Sequence, residues 1–180
     1  MVKKWLITAF ISSICLTGFG EEIAPYQFGL LGPELSWQPG TTRINGFVEG
    51  LWTENPQSAL SVSLFNGSTG DSRGLAIGGI VNYSESYAGL QIAPLNTVYD
   101  EFVGLQVGVF NYVQECASGV QLGCYNVSKD MTGLQVGIMN VASNLYGVQI
   151  GLVNLNVSNA FLTKLPGELS PGMILLNWKF

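Results

Sequence analysis

Four Asn-x-Ser triplets, an Asp100–Glu101 pair, recurrent Gln and closely spaced Gly are the features whose residue types and spacing bear on chemistry. Asn66, Asn82, Asn126 and Asn156 head the triplets, the signature of a glycan acceptor in a glycosylating secretory pathway. Asp100 and Glu101 offer carboxylate oxygens to Ca²⁺, but two adjacent acids are far short of a six- to eight-oxygen shell. Repeated Gln suits either sugar binding or hydrogen bonding inside a fold, and the structural role is the stronger expectation. The glycines form neither G-x-x-x-x-G-K-S nor a strand-to-helix G-x-G-x-x-G, so they do not read as a phosphate loop. The chain has no His, which removes the commonest general base and metal ligand. No catalytic constellation remains, and the expectation is a protein that is not an enzyme, without cofactor or metal.

Composition narrows the partner. Seven Lys and Arg against twelve Asp and Glu exclude a nucleic-acid groove. With 47% apolar and only 11% charged residues in 180, the chain is long and greasy enough for one domain with a core.

Stepping along the chain, the Gln and Gly fall into a repeat. Gly89 to Asn96 reads GLQIAPLN, Gly104 to Asn111 GLQVGVFN, and Gly119 to Asn126 GVQLGCYN. Gly133 to Asn140 reads GLQVGIMN, and Gly147 to Asn154 GVQIGLVN, at spacings of 15, 15, 14 and 14. Weaker copies lie at Ala59 to Asn66 and Gly74 to Asn82, with a more distant one at Gly46 to Trp52. A short fixed period means stacked or tandem copies of one structural unit.

Each block alternates with period two, placing Leu134, Val136 and Ile138 on one face and Gly133, Gln135 and Gly137 on the other. It reads as a strand closed by Asn and a polar turn. Gly at two positions per block argues against helix, at about 0.5–1 kcal/mol each. The fold class is all-β.

Three architectures bury such faces. The leading expectation is an antiparallel meander of 14- to 15-residue repeats closed into a β-barrel of eight to ten strands. Its Leu, Val and Ile would face lipid, with Gln and Gly facing the lumen. Nine residues at about 3.3 Å and a tilt of about 40° span roughly 23 Å, near the apolar band of outer-membrane barrels. The alternative is a two-walled parallel β-solenoid with two repeats per coil, Leu, Val and Ile between the walls and Gln/Asn rows facing water. One repeat per coil is less favoured, because a return wall such as Ser128-Lys129-Asp130 has little to bury. The third is a soluble β-sandwich.

The tandem motif G-[LV]-Q-[ILV]-G-x-x-N is carried by Gly104, Gln106, Gly108 and Asn111, and by Gly119, Gln121, Gly123 and Asn126. Gly133, Gln135, Gly137 and Asn140, then Gly147, Gln149, Gly151 and Asn154, complete it. With a leader and a terminal Phe, this resembles an uncharacterised family of bacterial surface-repeat proteins from several Gram-negative lineages. The likeness covers Gly74 to Asn154 well and Tyr26 to Asn66 loosely. It implies an envelope or surface location and no catalytic residue. In the copy at Gly89, Ala93 and Pro94 replace the second Gly and an aliphatic residue, which predicts a bulge or an edge.

Residues 1–20 read as a signal peptide: Lys3 and Lys4, then about thirteen apolar residues, too few to span a bilayer as a helix. Residues 21–180 are expected to form a single domain. Cys116 and Cys124 fall on one extended strand, about 26 Å apart, which predicts two free thiols. The end of the chain, with Trp178 and Phe180 on one face, resembles the C-terminal strand by which outer-membrane assembly machinery recognises a barrel. The functional expectation is therefore an exported outer-membrane or cell-surface protein with a bilayer as partner and a structural, pore-like or display role. The alternative is a soluble or tethered module presenting Gln/Asn rows to a glycan or protein.

Overall fold

The computed structural model describes residues 22–32, 34–161, 164 and 166–180. The expected signal peptide lies outside these residues. Eight strands follow in order: β1 Ile23–Gly29, β2 Arg43–Glu54, β3 Ser58–Ile92, β4 Leu95–Val98, β5 Glu101–Val107, β6 Phe110–Leu122, β7 Tyr125–Asn156 and β8 Gly172–Lys179. Every pairing from β1 to β7 is parallel. Only β8 runs antiparallel, against β7. The long spans of β3 and β7 keep extended backbone around successive corners.

The molecule is a β-solenoid of about six turns, and the expected antiparallel barrel is overturned. Register shows why. Gly89 stands opposite Gly104, Gly104 opposite Gly119 and Gly119 opposite Gly133, while Gln91, Gln106, Gln121 and Gln135 stack likewise. One repeat makes one coil. An antiparallel meander would set unlike residues opposite one another, whereas parallel stacking places each amide beside its own copy about 4.8 Å away. The alternative expectation of a parallel β-solenoid is met, but with one repeat per coil instead of two. The return segment that looked too polar buries Phe102, Ala117, Met131 and Leu145, joined by Val98, Val113 and Ala142, which lie three or four residues before Phe102, Ala117 and Leu145. The charges between them point outward.

Two glycines per repeat are fixed by sterics. Gly104, Gly119, Gly133 and Gly147 have φ of +138°, +131°, +128° and +147°, and a Cβ there would lie 2.0–2.1 Å from the carbonyl oxygen one coil earlier. Both the conformation and the space demand glycine. At Gly137 a Cβ would meet Gly123 O at 2.2 Å and Asn126 Nδ2 at 2.7 Å, so the second glycine makes room for the Asn row. Pro94 occupies a corner between β3 and β4 rather than a bulge. Its carbonyl accepts Val109 N and Phe110 N, both at 2.9 Å.

The last coil is closed by β8, whose Asn177 faces Gln149. Trp178 and Phe180, expected to form the recognition strand of a barrel, belong to this cap. The Trp178 indole donates to Pro166 O at 2.9 Å, and Phe180 packs edge-on against Tyr146 at 6.1 Å. A register shift with Leu175 at φ +69° twists the cap strand, a device that discourages edge-to-edge pairing.

Candidate functional site

The repeat residues line the interior. Gln106, Gln121, Gln135 and Gln149 are completely buried, as are Asn111, Asn126, Asn140 and Asn154. Each Gln Nε2 donates to the Gln Oε1 one coil earlier, from Gln106 on Gln91 at 3.0 Å to Gln149 on Gln135 at 2.8 Å. Each Asn Nδ2 donates to the Asn Oδ1 one coil later, from Asn66 on Asn82 at 3.1 Å to Asn140 on Asn154 at 2.8 Å. The expected display of Gln/Asn rows to a glycan or protein is thereby corrected: unbonded amides are costly to bury, but a stack of identical amides satisfies itself along its length, leaving Gln149 Oε1 unbonded at the end of the Gln row. Asn66, Asn82, Asn126 and Asn156 are buried too, so the Asn-x-Ser triplets present no acceptor to solvent.

What the coils present outward is aliphatic and aromatic. Numbering each coil from its first Gly, the second and fourth residues form one outer wall, as in Leu134 and Val136. The sixth, seventh and ninth form another, as in Leu152, Val153 and Leu155. Ile138, Ile150 and Leu152 are 49%, 44% and 59% exposed. The facing expected of the barrel is thus found on a solenoid. Over six coils at about 4.8 Å, with about five residues of 3.3 Å per wall, each wall covers roughly 475 Å² and the two together about 950 Å². The largest apolar patch on an ordinary monomer is about 300–600 Å².

Between the walls the chain turns a corner at Gly108-Val109, Gly123-Cys124 and Gly137-Ile138. Corners normally expose backbone polar groups, but these are bonded. Gly108 N donates to Leu122 O, Gly123 N to Val136 O and Ile138 N to Cys124 O, at 2.9–3.0 Å. The ladder asparagines add a second donor to the same carbonyls: Asn111 Nδ2 reaches Leu122 O at 3.0 Å and Asn126 Nδ2 reaches Val136 O at 2.9 Å. The apex of the wedge is thus greasy outside and satisfied inside.

The third side carries the charge. Glu85, Asp100, Glu101, Glu115, Lys129 and Asp130 all lie on the return segments. Lys129 pairs with Glu115 one coil earlier, and that contact raises the lysine's pKa. Asp100 and Glu101 point from this side to solvent; among the described residues no three Asp, Glu or Cys side chains gather as a metal site. Tyr99, Tyr112 and Tyr146, each at least 40% exposed, border the charged side. Comparison with family models, with curated proteins and with solved structures found no match. The reading of this surface therefore rests on its own chemistry.

One feature had no sequence signal because it joins residues that the clear repeat blocks do not relate. Trp52 Nε1 donates to Tyr83 OH at 2.7 Å, which donates to Glu54 Oε2 at 2.6 Å. Burial, then the Glu54 bond, raises the Tyr83 pKa well above the usual phenol value. Phe110 and Tyr125 stack at 4.9 Å on the second wall. Cys116 on the charged side and Cys124 at the apex are free thiols as expected, but they do not share one strand: β6 ends at Leu122 and Cys124 sits at the corner beyond it.

Proposed function

We propose that this is an exported envelope protein that lays its apolar wedge on a lipid surface, with the charged side in water. The single observation that carries this reading is the inverted distribution of side chains. Amides fill the interior, while two aliphatic and aromatic walls lie outside with no Asp, Glu, Lys or Arg between Gly89 and Val98 or in the matching stretches of later coils.

A lipid surface suits the shape better than a protein partner does. The two walls meet at a convex edge, which a flat partner covers only on one side and a fluid medium covers on both. Satisfied corner amides matter where water is absent, because an unbonded backbone group in hydrocarbon costs several kcal/mol. Tyrosines at the boundary with the charged side match the preference of amphipathic rings for the headgroup level. The resemblance of the tandem blocks to surface-repeat proteins points to the same compartment. The role is structural, a β-solenoid tiling or anchoring a surface.

The test is vesicle flotation of the full chain, purified in maltoside and diluted onto phospholipid vesicles. Wild type is expected to float with lipid. Leu152→Asp and Ile138→Asp each place a carboxylate on the wedge and should weaken flotation about tenfold or more, since a charge in hydrocarbon costs about 2.5–3.5 kcal/mol. Ser143→Asp, on the charged side, should not. Protein that stays ordered and monodisperse without detergent and fails to float overturns the proposal, as does equal weakening by Ser143→Asp.

A further inference from the structure

The two arginines of the chain, Arg43 and Arg73, are 30 residues apart in sequence and border one depression of about 400 Å³ together with Ser58, Ser72 and Asp71. Arg43 is held there by its Nη1, which donates to Asp71 O at 2.9 Å and Ser58 Oγ at 3.5 Å. Arg73 is exposed on the next coil. Beside it, sharing Asp71, Ser72 and Ala88, lies a second depression of about 260 Å³ that also takes in Glu101. A third, of about 540 Å³, shares Arg73, Ser58 and Ala88 and runs to Leu60 and Leu75. The three form one trough along the corner between the charged side and the first apolar wall. Small residues at this corner, Gly46, Ala59, Gly74 and Ala88, leave the space.

We propose that this trough binds the headgroup of a zwitterionic phospholipid, its phosphate between Arg43 and Arg73 and its ammonium toward Asp71 and Glu101. Two guanidinium groups beside one cavity favour an anion, and their planar forks suit phosphate oxygens. Glu101 in the neighbouring depression, with Asp71 at the junction of the two, would repel a simple dianion and attract an amine. The exit past Leu60 and Leu75 leads onto the apolar wall, so the acyl chains of a bound lipid continue along a surface of their own polarity. Charge order along the trough, cation then anion, therefore matches a phosphate followed by an ammonium, and its open end matches the tails. The inference deepens the proposed membrane role, but the headgroup is tested without the tails.

Calorimetry on the full chain in maltoside uses three probes: glycerophosphoethanolamine, inorganic phosphate and ethanolamine. Glycerophosphoethanolamine should bind about tenfold or more tightly than either part alone, the value of one charge-assisted contact. Arg73→Gln should remove that advantage by weakening the phosphate end. Glu101→Gln should bring glycerophosphoethanolamine down to the affinity of inorganic phosphate. Both residues are exposed, so the fold tolerates them, and Lys129→Gln serves as the charge control that leaves binding unchanged. Inorganic phosphate binding as tightly as the headgroup marks a free-oxyanion site and overturns the proposal. So does absence of binding by any probe, or indifference to both variants. None of these outcomes touches the flotation result, which depends on the walls.

Discussion

The side-chain amide of Gln121 donates to Gln106, one coil before it, at 2.8 Å. Asn111 does the reverse, donating to Asn126 one coil after it at 2.8 Å. The two ladders run the length of the repeats with opposed dipoles, so their fields oppose one another across the narrow interior. Along each row a bonded amide polarises the next, and strength grows with the stack. The solenoid thus carries a polar core beside a small apolar one of Phe102, Met131 and Leu145.

Asn126→Ala should destabilise the fold by roughly 1–3 kcal/mol, because it strands Asn140 Oδ1 in the interior and takes from Asn111 Nδ2 and Val136 O one of their two partners each. Urea unfolding checks it. Val127→Ala, half-exposed on the next position, should shift the midpoint far less.

Gly119→Ala should prevent stable folding or cost more than about 3 kcal/mol, since its Cβ would sit 2.1 Å from Gly104 O at φ +131°. Gly70→Ala is the contrast: φ is +57° with nothing within 4 Å, so only the left-handed conformation is strained, at about 1–2 kcal/mol. Thermal melts of the two variants separate crowding from backbone strain.

Acid should loosen the cap first. Glu168 accepts Ala160 N at 3.0 Å and lies 3.4 Å from Lys179 and 3.6 Å from Lys164. The backbone bond, followed by the Lys179 contact, holds its pKa below the usual Glu value. A lowered folded pKa means the stabilisation is complete above the unfolded value of about 4.3 and is lost as pH falls through the folded one. Amide exchange in β8 should accelerate below about pH 4, and Glu168→Gln should abolish that pH dependence.

Alkali acts on two tyrosines. Burial raises Tyr87, and burial with the Glu54 bond raises Tyr83. Their protonated forms stabilise the fold fully below the unfolded pKa of about 10, and that support is lost as pH rises through the folded values. In an absorbance titration these two of the seven tyrosines should ionise last, together with unfolding.

The repeating unit was legible from residue order alone. Alternation in Gly133 to Asn140, the Gly pairs and the constant period established a β repeat, its length and which residues share a face. The sequence also confined charge to connections such as Lys129-Asp130. It did not determine how copies stack, because period-two alternation is the same in a barrel strand and a solenoid coil. Nor did it settle what surrounds each face: the Gln row reads as lumen-facing in a barrel and water-facing in a two-walled solenoid until each amide is placed beside its own copy, where Gln135 and Gln149 bond at 2.8 Å. Only the tertiary structure brings residues 14 or 15 apart to one strand spacing, and with it Arg43 to the same trough as Arg73. In-register parallel stacking makes the amides self-sufficient, which frees the Leu, Val and Ile to face outward.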